Sequence, residues 1–261
     1  MQIRSLGIVA ACSVALLAGC TAGSADPAPS ASASSSSDSP AAAFTPPADT
    51  GHGSTGHLFR LACSLNAARD TLASATASPS DDPSDPSSPT APAGALGEAS
   101  RAGQATGHLL RAVAGQLEED DPAMEEVVED AGLDSLGETI SDAALRGHTS
   151  DAEEAGEELA GLCAGVEPLR LSARTYAVEG CALVTRLATT HDEVDDYGIN
   201  DTATHESAAA SSLLGAAEAA DPAAYAGWAD AATDWSLAQA DQNQRNHDRA
   251  LSVLRLRCGS L

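Results

Sequence analysis

The sequence predicts an all-α protein, a bundle or array of about six to eight helices stapled by two disulfides. Alanine, leucine, glutamate and arginine dominate the chain beyond residue 57, and apolar residues there recur at spacings of three and four. Runs of β-branched residues, which favour strands, are absent from this part. The same region contains an even number of cysteines, which indicates a disulfide framework.

The first predicted helix begins near residue 58, and its apolar residues fall on one face. These residues are Leu58, Leu61, Ala62, Leu65, Ala68, Leu72 and Ala75. Five prolines and three aspartates follow within residues 78–92, so we expect a disordered, mobile loop at about 78–93. A second helix is predicted at about 96–119, where the apolar pattern resumes.

Capping signals predict three short helices after the second one. Asp121 followed by Pro122 has the residue types of an N-cap and a first helical position. Two further starts fit capping boxes, Ser135 with Glu138 and Ser150 with Glu153. The predicted stop signals are Gly132, Gly147 and Gly165.

Three longer helices are predicted in the remaining chain. The first covers about residues 168–190, and a polar stretch at 191–202 then interrupts the apolar pattern. The second covers about 203–220, and the third covers about 223–257 after the start signal Asp221-Pro222. Because aromatic residues make up only 3% of the chain, we expect a core built mostly of alanine and leucine.

The four cysteines of the helical region, Cys63, Cys163, Cys181 and Cys258, allow three pairings. A tight turn after Cys163 would place Cys181 about 16 Å away along the next helix, farther than the roughly 7 Å that a disulfide spans. We therefore disfavour Cys163 with Cys181, and favour Cys63 with Cys181 and Cys163 with Cys258. No CxxC spacing supports a zinc or redox site.

The N-terminus has the pattern of an export signal. Arg4 precedes the apolar run 6–18, which is too short for a permanent membrane span. The run ends in Leu17-Ala18-Gly19-Cys20, which resembles the lipobox of bacterial lipoproteins. The resemblance implies that residues 1–19 are removed, that Cys20 carries a diacylglyceryl group, and that the protein is anchored to the outer face of the cell membrane. An ordinary secretory signal that is cut elsewhere is the alternative.

Residues 20–56 are predicted to be a disordered tether between the anchor and the helical domain, which we place at 57–261. Alanine, serine, proline, glycine, threonine and aspartate make up nearly all of this segment. Such a composition buries too little apolar surface to offset the entropy lost on ordering.

The charge balance excludes one class of partner. The chain has 38 acidic and 13 basic residues, a net charge of −25, and none of the basic residues is a lysine. Such a chain repels phosphate backbones, so we expect no nucleic-acid binding. Cations and basic partners are attracted instead, although acidity of this kind also serves solubility alone.

An acidic segment at 191–206 is the first candidate binding site. Its candidate metal ligands are His191, Asp192, Asp195, Asp196 and Asp201. Clustered carboxylates suit calcium, but their spacing does not match an EF-hand. A solvated acidic connector is the favoured interpretation, and we expect no calcium-specific stabilisation.

A polar patch beside two indoles is the second candidate, suited to a small polar ligand. Its residues are Trp228, Trp235, Gln239, Gln242 and His247. The favoured interpretation is that both tryptophans are core anchors and the glutamines face water.

The sequence as a whole favours a non-catalytic module that binds an envelope protein or a ligand. No nucleophile elbow, P-loop, dinucleotide fingerprint or helical metal-enzyme motif is present, and we predict no cofactor. A cation- or solute-binding lipoprotein is the alternative, and an envelope enzyme is a weaker one.

Overall fold

A computed structural model of the protein describes residues 44–76, 93–191, 193–194, 197–198 and 201–261. Within these ranges the regular structure is entirely helical, with no β-strand, so the predicted all-α class is confirmed. The predicted loop at 78–93 lies almost wholly outside the described residues, as does the tether before residue 44.

The described ranges contain nine α-helices and one 3-10 turn at Pro122–Met124. In chain order the helices are α1 (Thr55–Thr76), α2 (Ala93–Asp120), α3 (Glu125–Asp130), α4 (Leu133–Arg146), α5 (Thr149–Leu162), α6 (Ala173–Thr190), α7 (Thr202–Ala220), α8 (Trp228–Ala240) and α9 (Gln244–Cys258). None of them is both long and apolar enough to cross a bilayer.

Helix α2 forms the centre of the array and packs against α1, α4 and α7. Helix α6 packs on α7, α8 covers α7, and α9 contacts both α8 and α6. The core is mainly leucine and alanine, as predicted, and its largest fully buried side chains are Trp235, Tyr176 and Phe59. Small residues in such a core let helices approach closely.

The closest approach of α2 and α4 is made by two glycines. A Cβ on Gly107 would collide with the backbone carbonyl of Gly137, and a Cβ on Gly137 would collide with the carbonyl of Gly107. The two backbones are therefore in contact at this crossing, and only residues without a side chain fit there.

Residues 44–54, which we call the strap, fall within the predicted tether and lie against the helical domain. The ring of Phe44 packs on Phe59, with 5.3 Å between centroids. Arg186 of α6 donates a hydrogen bond to the carbonyl of Gly53 in the strap and pairs with buried Glu206 of α7. The composition of the strap is that of a linker, but these contacts hold it in place.

The observed caps confirm one predicted helix start and place another five residues later. Asp121 caps the turn at Pro122, as predicted, because its side chain accepts a hydrogen bond from the amide of Ala123. The helix predicted from residue 168 begins at Ala173, where Ser172 caps it through the amide of Thr175.

The two predicted capping boxes are wrong. Ser135 and Ser150 both lie inside helices, since α4 begins at Leu133 after Gly132 and α5 begins at Thr149 after His148. Gly132, at a left-handed φ of +64°, is the N-cap of α4 and directly follows Ala131, the C-cap of α3.

The single helix predicted at 223–257 is wrong, because the chain forms two helices there. Asp221 and the three residues after it form a turn, and α8 begins only at Trp228. A second break follows at Gln242, whose φ of +48° is left-handed, and the Asn243 side chain then caps α9. Because of this break, the described ranges contain nine α-helices, one more than the eight that the sequence predicts.

The favoured disulfide pairing is also wrong. Cys63 of α1 is bonded to Cys163 at the end of α5, and Cys181 of α6 is bonded to Cys258 of α9, with Cα separations of 5.7 and 5.4 Å. These pairs follow the packing of α1 on α5 and of α6 on α9. Spacing along one chain does not specify which helices become neighbours.

Candidate functional site

Two histidines and a glutamate converge where the strap meets the helical domain. His52 lies in the turn before α1, His57 is the third residue of α1, and Glu179 lies within α6. Nδ1 of His52 and Nε2 of His57 each lie 3.0 Å from the same carboxylate oxygen, Oε2 of Glu179. The two imidazole rings meet edge to face, with 4.7 Å between centroids.

Two of the three residues are buried, and the third is exposed to solvent. His57 and Glu179 are each only 5% exposed, whereas the side chain of His52 is 57% exposed. A ligand from solvent would therefore reach the group from the side of His52.

A second carboxylate orients His57 from behind. Nδ1 of His57 lies 3.3 Å from Oδ2 of Asp49, and the same oxygen accepts a hydrogen bond from Arg60 at 3.2 Å. Asp49 and Glu179 thus face opposite nitrogens of one ring. A metal-binding histidine commonly has such a carboxylate on its other nitrogen, because the carboxylate fixes the tautomer and the ring orientation.

The local charges change the proton affinities of the buried pair. The hydrogen bond to Glu179 raises the pKa of His57 above its ordinary value, and this outweighs the lowering caused by burial. Burial alone would raise the pKa of Glu179, but its hydrogen bonds to His57 and His52 bring that pKa below the usual value. Glu179 is therefore a carboxylate near neutral pH, ready to balance a proton on His57 or a cation beside it.

Two imidazole nitrogens and one carboxylate oxygen are the donor set of many zinc sites. The three candidate donor atoms lie within 4.8 Å of one another. Zinc bonds of about 2.1 Å in a tetrahedron separate the ligand atoms by about 3.4 Å. The 3.0 Å separations between Glu179 and each histidine would need to open by only a few tenths of an ångström.

The metal ligands predicted in the acidic segment are placed only in part. Asp192, Asp195 and Asp196 lie outside the described residues. His191 and Asp201 both line a cleft of about 280 Å³, but Oδ2 of Asp201 already accepts a hydrogen bond from the amide of Gly198.

The residues predicted to hold a polar ligand divide between the core and the surface. Trp235 and His247 are fully buried, with 6.2 Å between their ring centroids, and Trp228 is 5% exposed. The expectation that both glutamines face water is wrong for Gln239, which is buried and accepts a hydrogen bond from buried Ser207. Gln242 does lie exposed, in the turn before α9. The tryptophans and His247 thus fill the core, and the five residues do not form one site.

The group of His52, His57 and Glu179 was not predicted from the sequence. Glu179 is 122 positions from His57 and lies inside an apolar helix, where a single acid gives no local signal. A signal does exist upstream, because Asp49, His52 and His57 fall within nine residues next to the first helix.

The predicted lipidation site, Cys20, lies outside the described residues. In comparisons with known proteins, no family model, no curated protein and no solved structure matches the chain.

Proposed function

We propose that the protein is an exported, lipid-anchored helical module that binds a divalent transition-metal ion, zinc by preference, through His52, His57 and Glu179. One observation carries the metal-binding part: both imidazoles face the same oxygen of Glu179, with all three donor atoms within 4.8 Å. The ligands of an ion converge on the ion itself, and donor atoms that lie this close together can all reach one ion after small shifts.

The lipobox-like Leu17-Ala18-Gly19-Cys20 supports the anchored part of the proposal. The two disulfides of the helical domain also support export, since disulfides persist in oxidising compartments outside the cytoplasm.

The ligand types favour zinc or a related ion over calcium and magnesium. Imidazole suits borderline transition metals, whereas calcium and magnesium prefer sites made wholly of oxygen ligands. Three protein ligands would leave a coordination position for water or for a group from another molecule. The exposed side of His52 is where that position would lie.

Zinc titration of the purified, chelator-stripped protein in competition with a chromophoric chelator tests this proposal. We expect one zinc ion per chain and a loss of at least about tenfold in affinity for His52→Ala, because a ligand has been removed. Asp49→Asn should weaken binding by about 10- to 100-fold, because it removes the carboxylate behind His57.

His148→Ala is the matched control, because the side chain of His148 is 56% exposed, almost the same as the 57% of His52. It should bind zinc as the natural protein does. Equal losses in the two alanine variants, or no stoichiometric zinc in the natural protein, would show that the three residues form only an ion-paired cluster.

A further inference from the structure

A second cleft of about 460 Å³ shares no residue with the proposed metal site. It lies between α2, α3, α4 and the start of α7. Its volume falls in the range of about 300–1,000 Å³ that is usual for small-molecule pockets. Apolar and small residues form part of its lining, among them Ala114, Gly115 and Val128.

His205 is the unusual residue in the wall of this cleft. It is 6% exposed, and within the described ranges neither of its ring nitrogens has a hydrogen-bond partner. Its ring stacks on His108 of α2, with 5.9 Å between centroids. Burial lowers the pKa of His205 to about 4, so near neutral pH the ring is uncharged, with one nitrogen that can accept a hydrogen bond and one that can donate one.

Carboxylates from three helices line the cleft. Glu118 comes from α2, Glu125 and Glu129 from α3, and Asp134 from α4. Only one basic residue lines the cleft, Arg111, which donates a hydrogen bond to Asp134 at 2.9 Å. Burial and the nearby charges of Glu125 and Asp134 raise the pKa of Glu118, as expected for crowded negative charge.

These carboxylates do not gather around one point as the ligands of a metal ion do. In the part of the chain that the structure describes, the group at His52, His57 and Glu179 is the only one of three or more such side chains that meets metal-ligand distances. The negative charge of the cleft is instead distributed over side chains from three helices. A ligand with spread positive charge matches this distribution better than a single ion does.

We propose that this cleft binds a small organic polycation with two or more ammonium groups, that is, a polyamine. Its ammonium groups would donate hydrogen bonds to Glu118, Glu125 and Glu129. One ammonium group would donate to the lone pair of His205 at the wall of the cleft. The methylene chain between ammonium groups would lie on Ala114 and Val128.

Calorimetric titration of the purified protein with spermidine, at physiological ionic strength, tests the proposal. We expect one saturable site, and a weakening of about tenfold or more in the double variant Glu125→Gln with Glu129→Gln, since each loses a charge-assisted hydrogen bond. The matched control is Glu154→Gln with Glu158→Gln, two exposed acids at the same spacing on α5. This control has the same net charge and should bind spermidine as the natural protein does.

A measurement on His205 separates binding in the cleft from general attraction to an acidic protein. Spermidine should shift the imidazole NMR signals of His205 in the natural protein, and His205→Phe should weaken binding while keeping the helical circular dichroism. Equal weakening by the two glutamine pairs, unchanged His205 signals, or full displacement of spermidine by magnesium at equal concentration would each overturn the proposal. His52→Ala should leave spermidine binding unchanged, so this test is independent of the metal site.

Discussion

The seven histidines of this chain include residues in opposite electrostatic environments. His57 lies between two carboxylates, which favour a charge on its ring. His108 and His205 are stacked on each other, and burial lowers the pKa of each to about 4. The first environment stabilises an added positive charge, whether a proton or a metal ion, and the second resists one.

Because the pKa values of His108 and His205 are lowered in the folded state, we expect the protein to lose stability in mild acid. The ordinary histidine pKa of 6.5 applies in the unfolded chain, whereas the folded values are about 4. Between pH 6.5 and 4 the unfolded chain therefore binds protons that the folded chain does not, so the free energy of unfolding falls as the pH falls. His205→Phe should reduce this slope by up to about 1.4 kcal/mol per pH unit.

Denaturant unfolding at several pH values, with a chelator present, measures that slope. His148→Ala removes an exposed histidine and should keep the slope of the natural protein. An unchanged slope in His205→Phe would mean that His205 is already protonated in the folded state.

The residues of the candidate site could not be predicted from the sequence, although other clustered charges could be seen there. Clustered charge drew attention to Asp192, Asp195 and Asp196, because neighbouring acids are visible in any sequence. His57 of α1 and Glu179 of α6 meet only in the folded chain, and no spacing rule connects residues 122 positions apart. Chemistry assembled from distant helices leaves no local pattern.

Among the described helices, α2 is packed on three sides, by α1, α4 and α7. Its crossing with α4 depends on the contact between Gly107 and Gly137. Any side chain at either position must push the two backbones apart. A shift of α2 would also disturb its packing on α7.

Gly107→Ala should lower the free energy of unfolding by about 1–3 kcal/mol, the usual cost of overpacking a core. Gly161→Ala is the control, because a Cβ there meets nothing within 4 Å. In a helix that change should be neutral or should stabilise by up to about 1 kcal/mol. Urea unfolding of both variants makes the comparison, and equal effects would contradict the close contact of α2 and α4.

Periodicity predicted where most helices lie, because a buried face leaves apolar residues at spacings of three and four. It failed near residue 242, where the pattern of α8 continues into α9 although the chain breaks. The break lies at Gln242, a non-glycine residue at φ +48°, and glutamine is not a usual signal for that conformation. Packing of α8 on α9 overrides the local preference there.

For the whole molecule, the proposed anchor at Cys20 and one proposed metal ligand, His52, both precede α1 in the sequence. The strap, which supplies His52, is the part of the domain nearest to Cys20 along the chain. A metal ion bound there would tie the strap to α6 through Glu179. The point at which the chain leaves the domain would then be fixed.

The anchor itself gives a prediction for the whole molecule. Cys20→Ser should abolish incorporation of labelled fatty acid and release the protein or leave an unprocessed precursor, because serine cannot form the thioether. Cys12→Ser, in the apolar run before the predicted cut, is the control and should be labelled normally. Undiminished labelling of Cys20→Ser, or equal partitioning of both variants into detergent, would refute the lipobox interpretation.

The order of the disulfides has a consequence for the covalent structure of the domain. Cys63–Cys163 and Cys181–Cys258 close two rings that follow one another along the chain and do not overlap. Only residues 164–180 connect these rings, and residues 166–172 of that connection are not helical. A single cut there would leave two separate polypeptides, each with its own bridge, joined only by noncovalent contacts such as helix packing and the hydrogen bonds of His52 and His57 to Glu179.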